Sequence, residues 1–136
     1  LKKTYNLSNI SILKGPCLAK ELARKNQTSV IVASKNINIA KKIGKMISTN
    51  YYLTEFSKDI IGVEVCSAIK NIYSMVIGAG QSLNASSNLF QKSVIEMRYL
   101  TKYFKGKEET TLGLSGVGDL YVRLKFKINL LFHLFC

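Results

Sequence analysis

The periodicity of the apolar residues changes once along the chain, at Asp59, and that change limits the fold more than any other feature. Before it, three short runs rich in β-branched and aromatic residues, ISIL (10–13), TSVIVAS (28–34) and YYLTEF (51–56), have the length and composition of strands. Between them Leu18 and Leu22, Ala19 and Ala23, and then Ile39, Ile43 and Ile47 recur at i, i+4, so each connecting segment has one apolar face. Strand, helix, strand, helix, strand is the alternation of an α/β unit with a largely parallel sheet. Three strands do not complete a doubly wound sheet, and the expectation is the final part of one.

After Asp59 the pattern is helical. Asp59 is placed to cap a helix running to about Ile77, which Gly78 and Gly80 end. A second helix is expected from Asn88 to Lys105, with Asn88 as N-cap, Phe90, Val94, Met97 and Phe104 on the inner side, and Gly106 at C′. A glycine-rich loop, LGLSGVGDL, follows and closes on Asp119. The final RLKFKINLLFHLFC mixes Lys, Phe and Leu with little turn chemistry.

Composition bounds the partners. A chain of 136 residues, 47% hydrophobic, can bury the core of one compact domain. Its formal net charge of +12 fits a solvated surface, because the Lys and Arg residues are scattered; the alternative is a basic module that binds nucleic acid or an anionic membrane. Cys17, Cys66, Cys136 and the single His133 have no zinc or disulfide spacing, so no metal is expected. The opening LKKTYNLSNISIL lacks the apolar core of a signal peptide, and a cytoplasmic setting is the expectation. No run reaches the roughly 18 consecutive apolar residues of a membrane span. The chain does not begin with Met, which suggests a piece of something longer.

One residue breaks the pattern. In DIIGVEVCSAIKNIYSMVIGAG (59–80) a single lysine, Lys70, sits among apolar and small residues. On a helix its face includes Val63, Ser67 and Ser74, while Ile61, Val65, Ala68, Ile72, Val76 and Ala79 lie on or near the opposite side, so the helix reads as buried almost all round. A buried ammonium is costly unless paired, and desolvation lowers its pKa toward the range of a general base. The alternative is a long stem that carries its charge out to water. The neighbouring amide of Asn71 is of the kind that positions a hydroxyl or carbonyl for proton transfer.

Two further stretches have a double meaning. KGPCLAKELA (14–23) sets Gly15 and Pro16 before a helix, either as an anion site at the helix N-terminus or as a plain turn with Pro16 at N1. GLSGVGDL (113–120) follows a helix and has GxxGxG spacing, so it is not a dinucleotide fingerprint; its Asp119 is placed to hydrogen-bond a polyol hydroxyl.

In order and spacing, GPCLAKELA, TSVIVAS, DIIGVEVCSAIKNIYSMVIGAG and EETTLGLSGVGDL together resemble the bacterial NAD(P)-dependent sn-glycerol-3-phosphate dehydrogenases, over roughly residues 5–122. The resemblance implies the last strands of a Rossmann-type sheet in residues 1–58. It implies the start of a helical substrate domain, of the 6-phosphogluconate-dehydrogenase C-terminal-like type, in residues 59–122. It also implies reduction of dihydroxyacetone phosphate to glycerol 3-phosphate for phospholipid synthesis, with NAD or NADP as cofactor, and a homodimer for the full-length enzyme, with no nucleic acid among its partners. By the same resemblance Lys70 is the proton acceptor of the alcohol. Gly15, Cys17, Asn71 and Asp119 contact substrate, and Ala19 contacts the cofactor. The sequence holds no GxGxxG, and residues 123–136 depart from the family in a way that suggests a frameshifted tail. The expectation is an internal fragment, inactive alone.

Overall fold

The structure, a computed structural model, describes residues 10–80 and 82–125. His133 and Cys136, and with them residues 126–136 of the expected atypical tail, lie outside the described residues.

Three strands, β1 (Ser11–Lys14), β2 (Thr28–Ser34) and β3 (Tyr52–Ser57), form one sheet in sequence order with β2 in the middle. β2 and β3 run parallel, with Val30 opposite Thr54 and Val32 opposite Phe56. The expectation of a largely parallel sheet fails at β1, which runs antiparallel to β2, Leu13 opposite Val32. A parallel crossover needs a dozen or more residues, most of them helical, to carry the chain back along the sheet. Residues 15–27 hold only the short helix α1 (Ala19–Ala23), roughly 7 Å long at 1.5 Å per residue. The link therefore folds over locally and β1 enters from the other direction. α1 also buries none of its residues, so its apolar face is at most half-covered.

β2 is buried on both faces. Ile31 and Ala33 meet Val63 of the long helix α3 (Ile60–Gly78), with Ile12 and Ile60 alongside. The alternate residues Val30 and Val32 lie on the face covered by α2 (Ile37–Ile47), whose N-terminus Asn36 caps by accepting from the Asn38 amide.

Asp59 begins α3 as expected. Its Oδ1 accepts the Gly62 amide at 2.9 Å, while Oδ2 accepts the Lys107 amide at 2.8 Å and the Thr110 hydroxyl at 2.6 Å. One side chain therefore caps the helix and ties down a loop 48 residues away. Gly106 lies against the same turn; a Cβ there would stand 2.6 Å from the Gly62 Cα, backbone against backbone.

The second long helix, α4 (Leu83–Tyr103), starts before the expected Asn88, because Ser82 is the N-cap and accepts from the Ala85 amide. Both residues are good caps, and the chain uses the earlier one, adding more than a turn of helix. Phe104, expected inside, is exposed. The helix ends there in a Schellman arrangement: Lys105 takes a left-handed φ of 70°, its amide bonds the Lys102 carbonyl, and the Gly106 amide bonds that of Thr101. Gly106 is thus at C″ and Lys105 at C′. α3 does not end on a left-handed glycine either, since Gly15 is the one described glycine with a positive φ.

α3 and α4 pack around Cys66, Tyr73, Ile77, Met97 and Leu120, with Phe90, Leu100 and Leu124 partly buried against them. Leu120 belongs to helical residues 119–125, reached through a 3-10 turn (Glu108–Leu112) and a π-helical turn (Leu114–Gly118). α3 is long and apolar enough to cross a membrane by length and composition, yet one whole side of it is core.

Candidate active site

Lys70 lies on the buried side of α3, and the side opposite is the open one: Ile61, Ile72, Met75 and Val76 are all exposed. The expectation of burial all round is therefore corrected. The side chains flanking Lys70 on its own face are small, Ser67 one turn before and Ser74 one turn after, and this lets neighbouring backbone approach. What approaches is the π-helical turn. Its tightness depends on Gly116, where a Cβ would strike the Thr111 carbonyl, and it delivers Asp119 to the lysine. Lys70 Nζ donates to Asp119 Oδ2, and the two side chains are only 8% and 7% exposed.

Other charges surround this pair. Arg123, one turn beyond Asp119, places Nε 4.0 Å from Asp119 Oδ1, and Lys14 at the end of β1 pairs with Glu64 of α3 at 3.3 Å. Burial lowers the Lys70 pKa to about 8, and the positive fields of Arg123 and Lys14 add to the effect. An amine with a pKa there exists in both forms near neutral pH, as a group that accepts and returns a proton must. The hydroxyls of Ser67 and Ser115 are buried and have no hydrogen-bond partner among the described residues. They precede Lys70 and Asp119 by three and four positions, so each lies one turn from a member of the ion pair.

This helix, its lysine and the glycine-rich turn with its aspartate fall inside residues 59–127, which match the family model described as "NAD-dependent glycerol-3-phosphate dehydrogenase C-terminus". The chain belongs to this dehydrogenase family. A glycerol-3-phosphate dehydrogenase [NAD(P)+] of Campylobacter lari is 35% identical over 117 residues, which is 83% of this chain and 39% of the relative. One from Phytoplasma australiense is 36% identical over 85% of this chain and 37% of its own. The crystal structure of glycerol-3-phosphate dehydrogenase from Coxiella burnetii superposes with a TM-score of 0.79 at 33% identity, over 84% of this chain and 36% of that one. The chain thus spans less than two-fifths of the length of these dehydrogenases.

The remaining expected site residues are placed less closely. Asn71 follows Lys70 but is exposed, and its carbonyl accepts the Ser74 hydroxyl at 2.8 Å. Gly15, with φ 126°, carries the chain from β1 past the Val30 backbone, where a Cβ would stand 3.2 Å from the Val30 Cα. Cys17 is an exposed free thiol, and Ala19 opens α1 on the surface. Pro16 is not at N1, because the helix begins three residues later, and five residues make too short a helix to hold an anion at its N-terminus. Ser67, Ser115 and Arg123 were not among the expected residues. Their signal was spacing alone: one turn from Lys70 or from Asp119.

The described residues do not fit a dinucleotide pyrophosphate. α1 is a turn and a half, the α2 N-terminus is filled by its own Asn36 side chain, and a carboxylate, Asp59, already occupies that of α3. No cluster of metal-ligating side chains occurs among the described residues. A cavity of about 930 Å³ opens between the end of α3, the start of α4 and residues 121–125. It is largely apolar, lined by Ile77, Leu83, Phe90 and Leu124 among others, and neither Lys70 nor Asp119 reaches it.

Proposed function

We propose that this chain supplies the proton-transfer and substrate-holding part of a glycerol-3-phosphate dehydrogenase, interconverting dihydroxyacetone phosphate and sn-glycerol 3-phosphate. The observation that carries the reading is the buried Lys70–Asp119 pair in the segment that matches the family. Oxidation of the secondary alcohol releases its hydroxyl proton, and neutral Lys70 takes it; in reduction the ammonium returns it to the carbonyl oxygen. Asp119 holds the amine in place and offers its second oxygen to a substrate hydroxyl. Asn71, Gly15 and Cys17 are assigned to substrate contact and Ala19 to the cofactor side. The redox partner in this reading is NAD or NADP, and none of the described helix N-termini holds it. A helical catalytic unit beginning at Asp59, a cytoplasmic setting and a homodimeric whole enzyme belong to the same reading.

The test is a chimera: the Campylobacter lari relative carrying residues 59–127 of this chain in place of its own. Dihydroxyacetone-phosphate-dependent NADH or NADPH oxidation is expected to persist and to fall by about 10²–10⁴-fold in Lys70→Ala, the range of a lost general acid or base. A folded chimera that turns over equally well with Lys70→Ala contradicts the reading.

A further inference from the structure

The glycine-rich turn closes on Thr111, and Thr111 belongs to a ring of three polar side chains. Cys66 of α3, Thr101 of α4 and Thr111 of the 3-10 turn are all fully buried. The Cys66 thiol donates to Thr111 Oγ1 at 3.7 Å, and the Thr111 hydroxyl donates to Thr101 Oγ1 at 3.3 Å. Thr101 Oγ1 and Cys66 Sγ stand 3.4 Å apart. Each group has a single proton, and those of Cys66 and Thr111 are already used, so the Thr101 hydroxyl closes the ring on Cys66 Sγ. Every member then donates once and accepts once, and three separate elements are held at one point.

Two members of the ring lead to the ion pair. Cys66 is one turn before Lys70 on α3. On the other side, a Cβ at Gly116 would strike the Thr111 carbonyl, the Gly113 amide bonds the Thr110 carbonyl at 3.2 Å, and the Gly116 and Gly118 amides both bond the Gly113 carbonyl at 3.2 Å. Asp119 follows directly. We propose that Thr111 is a positioning residue of the proton-transfer site, its hydroxyl fixing the glycine-rich turn so that Asp119 meets Lys70. That hydroxyl bonds neither of them and acts through the turn. Thr110, one residue earlier, is held separately by Asp59 at 2.6 Å, so the turn keeps its entry point when the Thr111 hydroxyl is removed. The inference rests on the reading above in taking Lys70 as the group that exchanges the proton; the contact of Lys70 with Asp119 does not depend on that reading.

Thr111→Val keeps the shape of the side chain and removes its hydroxyl; Thr111→Ser restores the hydroxyl. In the 136-residue chain labelled at lysine, the Lys70 titration midpoint is expected to fall in Thr111→Val, toward that of Asp119→Asn, and to return to near wild type in Thr111→Ser. Added to Asp119→Asn, Thr111→Val is expected to move the midpoint no further, because the carboxylate it places is gone. The other charges acting on Lys70, those of Arg123 and of Lys14 with its partner Glu64, are the same in all these variants. A folded Thr111→Val that loses stability while the midpoint holds or rises overturns the proposal. If Thr111→Val does not fold, Thr101→Val breaks the same ring from α4, and an unmoved midpoint there overturns it equally. In the chimera described above, Thr111→Val is expected to lower kcat by up to about 10²-fold with little change in KM, as for a displaced catalytic group. An unchanged kcat in Thr111→Val, where Lys70→Ala is inactive, overturns the proposal. If the midpoint falls in Thr111→Val and the chimera is indifferent to Lys70→Ala, the positioning role stands and the proton-transfer reading fails.

Discussion

Lys70 and Asp119, 49 positions apart, meet as a buried ion pair between α3 and the helical turn that follows the glycine-rich loop. Each is the other's compensation. Removing one partner of such a pair leaves a charge stranded in the interior, a loss of roughly 3–5 kcal/mol, whereas replacing both by apolar residues of similar volume is close to neutral. Asp119→Ala is therefore expected to cost about 3 kcal/mol by urea denaturation, and Lys70→Met combined with Asp119→Leu to recover most of it.

The depressed pKa of Lys70 gives stability a definite pH dependence. Between pH 8 and about 10.4, the ordinary lysine value, the unfolded chain keeps a proton on Lys70 that the folded chain has released. Stability from this group therefore rises with pH across that window and is lost as pH falls through 8. Denaturation of wild type and of Lys70→Met from pH 7 to 10.5 should show the wild-type curve rising relative to the variant; parallel curves would contradict the shift.

Asp59 makes the joint between the sheet and the helices. Its carboxylate receives three donors from two separate stretches, Gly62 in the first turn of α3 and Lys107 and Thr110 in the loop after α4. Asp59→Ala removes a helix cap, worth about 1 kcal/mol, and strands two more donors. A loss of about 2–4 kcal/mol is expected in urea denaturation, together with faster amide exchange at Lys107.

How far the sequence foretold these joints depended on the kind of signal. β2 coincides with the run TSVIVAS and α3 with the Asp59 cap, because a β-branched cluster and an Asx cap are local features. The direction of β1 was not legible: composition says strand, but its polarity is set by how far α1 carries the chain, and α1 is only five residues. The face of α3 was misjudged for a different reason. When a helix is apolar nearly all round, hydrophobicity does not say which side is covered, and the covered side proved to be the one with small residues and a lysine, Ser67, Lys70 and Ser74. Lys70 and Asp119 were each legible as candidates, but their contact was not. Arg123 was missed because an arginine one turn from an aspartate reads as an ordinary helix-surface pair.

The glycines separate by what surrounds them. At Gly106 a methyl group would meet the Gly62 backbone, which cannot swing aside, so Gly106→Ala is expected to cost about 1–3 kcal/mol. At Gly78, in the last turn of α3, nothing lies within 4 Å, and Gly78→Ala is expected to stabilise by about 0.5 kcal/mol through a less flexible unfolded chain. Thermal denaturation of the two variants should move in opposite directions.

The ionisation of Lys70 itself is the most direct test. In the 136-residue chain labelled at lysine, the Lys70 side-chain carbon and nitrogen resonances can be followed from pH 6 to 11 in wild type and in Asp119→Asn. The account predicts a midpoint near 8 in wild type and a lower one in Asp119→Asn, because loss of the carboxylate disfavours the ammonium. A midpoint near 10.4, that of an exposed lysine, unchanged by Asp119→Asn, would contradict it.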